Sequence, residues 1–419
     1  MHLSIPLAAL FASLTLALAN PICIDHYDPR DLTKRARVPC PLVHDIAPRQ
    51  APETFNSSQA FVFDFYCDAS PELCLKAKEG FRKSGEILSS FISFAAPVRV
   101  NASFHLFCKS DPEIDENCRT RGLSAIAGLA KPTRMMLLQD DDNVQRIYPQ
   151  TVVKQFNLTP RPAYHTYDIY ADFNAELPWH FWADGPKLAS AQQTDFEETV
   201  VHELLHGLGF LSSWANLPAS PGSLIPAGLI YDEQENPMPT DDFFVESVLD
   251  RYMTLVSGAS PQRCTEFTKA LNAASTKLFT QSTTPAQVAS LLETAPDFQP
   301  ARDMMKAATT NDTLALLPFG AQAPNDYLWL ETGLPRYRQG SSVSHVAMKH
   351  YWNTSQRLMM FAADRPMSLA ESIAQYGGPV GPLLLRAMAS IGYQTKDKLP
   401  VPPIPKVAIP NPSPASPGQ

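Results

Sequence analysis

Glycine is scarce in this chain, with 18 in 419 residues. No glycine-rich loop could cradle a phosphate, and no GxSxG elbow is present. Nucleotide-driven chemistry and serine-hydrolase chemistry therefore lack their usual sequence marks. Charge is also low, at 18%, and basic residues are outnumbered 34 to 42, for a net charge of -8. A diffuse acidic balance argues against a nucleic-acid or anionic-membrane partner. Beyond the N-terminus no run is long and apolar enough to span a bilayer, and no hydrophobic C-terminal tail marks a lipid anchor. There are only seven cysteines, an odd number, so at least one thiol is left over. No internal repeat is visible.

Proline is the abundant residue: 39 of them, about twice the usual share. They suit long ordered loops and a tail. Apolar residues at 44% supply a sizeable core, and the length suits two or three units or one large domain. Leu3 to Ala19 is one apolar run closing on Ala17-Leu18-Ala19, so residues 1–19 are expected to be a secretory signal peptide. Asn56, Asn101, Asn157, Asn311 and Asn353 each begin an Asn-x-Ser/Thr sequon, as in a glycoprotein. Cys67/Cys74 and Cys108/Cys118 are close in sequence and read as disulfide staples of a secreted, extracellular protein; neighbour pairing and cross-pairing both remain open.

Residues 20–60 are polar and proline-punctuated, with a dibasic Lys34-Arg35, and read as a pro-segment or linker. Globular patterning starts at Phe61. Leu73, Ala77, Phe81, Leu88 and Phe91 predict a helix over about 72–92. Val98, Val100, Ala102, Phe104 and Leu106 alternate with polar residues, predicting a half-buried strand, and Ile169, Ala171 and Phe173 predict another. The stretch 214–338 shows helical pieces without a strong strand pattern. From about 396 the proline- and serine-rich chain is expected to be a disordered tail.

One helix carries the chemistry. Thr194-Asp195-Phe196-Glu197 has the form of a capping box and opens a helix over about 195–208. At 100° per residue Phe196, Val200, Val201, Leu204, Leu205 and Leu208 share a core-facing arc, with His202 and His206 on the opposite one. Two imidazoles one turn apart can converge on one metal ion, and Glu203 between them can act on a water. This is an HExxH arrangement, and imidazole ligands with an open position suit zinc. Two histidines alone would hold zinc weakly, so a third ligand is needed. Elsewhere the mature chain offers His26, His44, His105, His165, His180, His345 and His350. His180, amid Trp179, Phe181 and Trp182, reads as a packing histidine. Glu198 shares the histidine face, in a supporting or solvated role. Asp140-Asp141-Asp142 lacks the spacing of a calcium loop and reads as a solvated turn.

His202-Glu203-Leu204-Leu205-His206-Gly207-Leu208-Gly209-Phe210 resembles the HExxHxxGF helix of metzincin-like zinc metallopeptidases. Most of that family place the third ligand six residues after the second histidine, where this chain has Ser212, which cannot serve. The departure is similar to the leishmanolysin-like branch, in which an insertion precedes the third histidine. Gly340-Ser341-Ser342-Val343-Ser344-His345 and Leu358-Met359-Met360 resemble its Ser-His motif and Met-turn, and Ala387 to Tyr393 its closing helix. The likeness covers roughly 60–395. It implies an α/β, zincin-like fold: a twisted mixed sheet backed by the active-site helix, above a mostly helical C-terminal subdomain. It also implies zinc on His202, His206 and His345, with His350 the rival for the last place, and a methionine of the Met-turn packed beneath the metal.

The expected activity is that of a secreted zinc metalloendopeptidase with Glu203 as general base, acting on protein or peptide substrates as a monomer. The strand at 168–173 is expected to pair with extended substrate. The alternatives are a catalytically silent zinc-binding effector and a zinc hydrolase acting on a non-peptide bond. Cys40, in Val38-Pro39-Cys40-Pro41, is a candidate for a thiolate that keeps the enzyme latent; a Cys23–Cys40 disulfide is the competing reading.

Overall fold

The computed structural model describes residues 22–26, 35–40, 52–108 and 126–407, the last span with breaks at 160, 189, 218, 227–242, 257–260, 280–282 and 363–366. The expected signal peptide, His44, Cys118 and residues 408–419 of the expected tail lie outside the described residues. The fold is mixed α/β with several sheets.

The principal sheet is built from β1 (Glu53–Ser57), β2 (Phe61–Cys67), β3 (Val98–His105), β4 (Gly128–Pro132) and β5 (Ile169–Asn174), in the spatial order β1-β2-β3-β5-β4. β2, β3 and β5 run parallel; β1 and the far edge strand β4 run antiparallel to their neighbours. The alternation expected in β3 holds, because Val98, Val100, Ala102 and Phe104 are all fully buried on one face. Against that face lie α1 (Pro71–Phe91), capped by Ser70, and α2 (Phe196–Gly207). Phe81 of α1 and Phe196 of α2 meet edge-on at 5.5 Å, and both touch Phe173 of β5. The helices approach closely because Gly80 lacks a side chain: a Cβ there would stand 2.5 Å from the Phe196 ring.

Several expectations change. Residues 20–60 are not a bare linker. Besides β1 they supply strands Ile22–His26 and Arg35–Pro39, which join a second sheet on Arg134–Gln139. Asp25 receives two hydrogen bonds from the buried Arg134 guanidinium, which also donates to the Cys40 carbonyl. Residues 396–407, within the expected tail, are not disordered, since Lys406–Val407 pairs with Leu138 and Gln139 of the same sheet. Backbone pairing holds both segments despite their polar composition, so hydrophobic periodicity could not show it.

The stretch 214–338 carries helices Thr265–Leu278, Pro285–Thr294 and Gln299–Ala308 around Phe244, Phe279 and Phe298. It also carries a hairpin, Trp214–Leu217 with Ser220–Pro226, and a small four-stranded sheet that the sequence did not show. These strands are short and buried in part through loops, so alternation is lost. Asp140 and Asp142 are not a solvated turn: both accept from Arg146, and Asp141 pairs with Arg251.

Cys23 is bonded to Cys40 and Cys67 to Cys74, and Cys108 is also disulfide-bonded. The neighbour pairing of Cys67 with Cys74 is thus the one found. With Cys40 in a disulfide, the latency idea falls. Among the described residues the free thiol is Cys264, fully buried. Such disulfides are compatible with an extracellular protein. Among the described residues no helix is long and apolar enough to cross a membrane.

Candidate metal centre

α2 begins one residue later than the capping box suggested. Asp195, not Thr194, is the N-cap, accepting from the Glu198 N–H at 2.7 Å, while Glu197 turns inward to accept from the Trp182 N–H at 3.0 Å. Beneath it Phe196, Val200, Val201, Leu204 and Leu205 are fully buried, as the helical periodicity requires. This rotation turns His202 and His206 toward the segment that carries His345. The three imidazoles form a compact group, with ring centroids 4.7 to 5.1 Å apart.

Each ring is oriented by a backbone carbonyl. His202 Nδ1 lies 2.6 Å from the Leu358 oxygen, His206 Nδ1 2.7 Å from that of Phe210, and His345 Nδ1 3.1 Å from that of Ser341. A carbonyl oxygen only accepts, so each Nδ1 must carry the proton, and each Nε2 presents a lone pair. His345 Nε2 stands 3.1 Å from both other Nε2 atoms. Burial pushes His202 down to about 4 and His206 to about 3, and holds His345 well below the ordinary range, so all three rings are neutral near pH 7. Three lone pairs aimed at one another are mutually repulsive unless a cation sits among them. Tetrahedral zinc with Zn–N bonds of about 2.0–2.1 Å would space its nitrogens by about 3.4 Å, so the donor set fits that ion.

Local structure explains the convergence. Gly209, at φ +110°, turns the chain sharply after α2, which brings the Phe210 carbonyl back over His206. Leu358, whose carbonyl orients His202, lies in a short 3-10 turn, Arg357–Met359. Val346 donates to the Met359 carbonyl, joining the His345 segment to that turn. Met359 is fully buried in it, and Met360 faces the cleft. Ser212 braces the arrangement: its N–H donates to Ser344 Oγ and its hydroxyl to Asp250.

Glu203 faces the same space. Its Oε1 is 3.9 Å from His202 Nε2, and its Oε2 accepts from the Ala130 N–H at 3.0 Å. Burial pushes its carboxyl up to about 8, against the lowering effect of that N–H. Ala130 belongs to β4. The expectation that 168–173 pairs with substrate is therefore corrected: β5 is hydrogen-bonded on both sides, and among the described residues the edge strand beside Glu203 is β4. A cleft runs from His202 and Glu203 toward the N-terminus of α2, with Glu198, Arg357 and Phe361 among its walls. Glu198 is neither solvated nor idle, since it pairs with Arg357 at 3.0 Å.

The other described candidates lie elsewhere. His350 bonds to Asp312 at 2.6 Å and stacks on Trp329. His180 is buried and bonded to the Gly185 carbonyl. Sequence reasoning missed Arg357, Ala130 and the three orienting carbonyls. Arg357 adjoins the Leu-Met pair and could have been flagged as a lone cation; the backbone groups carry no sequence signal.

A family model described as SPBPB7E8-like matches residues 23–406. A protein of Schizosaccharomyces pombe named "Uncharacterized protein PB7E8.01" is 24% identical over 373 residues, which cover 82% of this chain and 64% of that protein. The chain thus spans less than two thirds of that relative's length. No solved structure matches the chain. With a family match running from the first disulfide cysteine to the last described strand, this chain belongs to the SPBPB7E8-like family.

Proposed function

We propose that this protein is a secreted zinc-dependent metalloendopeptidase of zincin-like fold, with Glu203 as general base. The observation that carries the reading is the set of three carbonyl-oriented imidazoles whose Nε2 atoms converge beside Glu203. Zinc held by His202, His206 and His345 would supply a Lewis acid that polarises the scissile carbonyl and acidifies water. Glu203 takes the proton of the attacking water and delivers it to the leaving amine. The outer edge of β4 offers main-chain groups to an extended peptide, and the Ala130 N–H holds the Glu203 carboxylate at that edge.

The test is metal content together with digestion of a denatured protein mixture. The wild-type chain should carry one zinc and cleave the mixture, and a chelator should abolish cleavage. His345→Ala should lose most zinc and all activity, whereas His350→Ala keeps both. Zinc retained by His345→Ala, or cleavage indifferent to chelator, overturns the reading.

A further inference from the structure

Arg357 sits in the wall of the cleft and is only 3% exposed. Its Nη1 lies 3.0 Å from Glu198 Oε1, a charge contact without hydrogen-bond alignment: neither Nε nor Nη1 has an acceptor among the described residues. Buried donors of this kind are costly until an acceptor reaches them. Glu198 precedes His202 by one helical turn, about 6 Å along α2. Arg357 directly precedes Leu358, whose carbonyl orients His202. The unmet donors therefore stand about one residue's reach from the site of chemistry. Beside them the cleft wall also carries the apolar side chains of Leu188, Leu358, Met360, Phe361 and Met367.

We propose that this cleft selects a substrate side chain with an apolar stem and an uncharged carbonyl tip, glutamine above all, and that Arg357 is the specificity-determining residue. The proposal rests on the peptidase reading above. A carboxylate tip would have to compete with Glu198 for the one guanidinium in the cleft. A lysine or arginine tip would bring donors and positive charge toward Arg357. A leucine would cover the Arg357 N–H groups and leave them without an acceptor. Glutamine lays two methylenes along the apolar walls, offers Oε1 to Arg357, and presents its amide N–H groups to Glu198 or Thr199.

The experiment is capture of a randomised, end-blocked hexapeptide library on the full chain carrying Glu203→Gln, followed by sequencing of the bound peptides. Glutamine should be enriched over leucine about tenfold at one position, the scale of one satisfied buried donor. Glutamate and lysine should be depleted there. Adding Arg357→Met should remove the enrichment, and Arg357→Lys should restore part of it. Enrichment of another residue class, an enrichment unchanged in Arg357→Met, or capture of no peptide overturns the proposal. Should Arg357→Met fail to fold, the preference of the chain with Arg357 intact still decides it. Digestion of the same library by the wild-type chain reads the peptidase activity separately. Glutamine capture without cleavage retains the cleft and discards the peptidase, and cleavage without glutamine preference does the reverse.

Discussion

Two of the clusters of buried ionisable side chains in this molecule are built on opposite terms. Around Arg146, itself fully buried, stand Glu246 at 2.6 Å, Asp140 at 2.7 Å and Asp142 at 2.8 Å. Glu246 is further satisfied by the Thr265 and Thr268 hydroxyls. Every charge there finds its opposite within the chain. Around His345 the reverse holds: three neutral imidazoles present lone pairs to each other at 3.1 Å with no proton to share. The first cluster is closed and serves cohesion between the second sheet and the insertion. The second, on the reading proposed above, is completed by a cation from outside, and the asymmetry separates a candidate site from an equally buried structural network.

Three measurements would break or sharpen that contrast. The largest effect should come from Glu203→Gln, which is expected to lower peptide cleavage about a hundredfold to ten-thousandfold while zinc content and unfolding midpoint stay unchanged. Undiminished cleavage by that variant would remove Glu203 from the chemistry. Arg146→Met leaves the buried Glu246 without its cation. It should cost about 3–5 kcal/mol in urea unfolding, with zinc per folded molecule unaltered. Loss of zinc without loss of stability would mean the two clusters are not separate in function.

The smallest effect is in the pH dependence of the metal-free chain. Burial holds His202 and His206 at about 4 and about 3, so below the ordinary 6.5 the unfolded chain takes up protons that the folded one refuses. Their contribution to stability is intact above 6.5 and is lost as the pH falls toward 4. Glu203 and Glu198, raised by burial to about 8 and about 7, act in the other direction and lose their contribution as the pH rises past the ordinary carboxylate range. Urea midpoints between pH 4 and 7 should therefore fall more steeply with acid in the wild-type chain than in a His202→Gln, His206→Gln double variant. Equal slopes would contradict the buried, neutral state of the rings.

How much of this was legible in the residues varies with the interaction involved. α1, β3, β5 and α2 were readable to within a residue or two, because each buries one face and so imposes its period on the sequence. His202, Glu203 and His206 were readable for the same reason: one turn of helix converts spacing i, i+4 into proximity. The capping residue slipped from Thr194 to Asp195, since two adjacent cap-forming residues compete and the pairing of Thr194–Asp195 with Trp179–His180 chooses between them. The 20–60 segment and the end at 406–407 were misread because strands held by backbone pairing and an ion pair need no apolar alternation. That 139 residues separate His206 from His345 left the third imidazole to family resemblance alone.

The sequence by itself therefore determined the local, periodic features: the helix that presents two imidazoles and a carboxylate, the core face beneath it, and a cysteine count that leaves one thiol over. Tertiary structure alone decided the non-local ones. It placed His345 rather than His350 against the pair, chose the carbonyls of Leu358, Phe210 and Ser341 to orient the rings, and, among the described residues, made β4 rather than β5 the edge strand and left Cys264 as the thiol. The physical reason is that main-chain carbonyls and strand edges are the same in every residue. Which of them meets a side chain depends on where the chain returns, and no residue type records that.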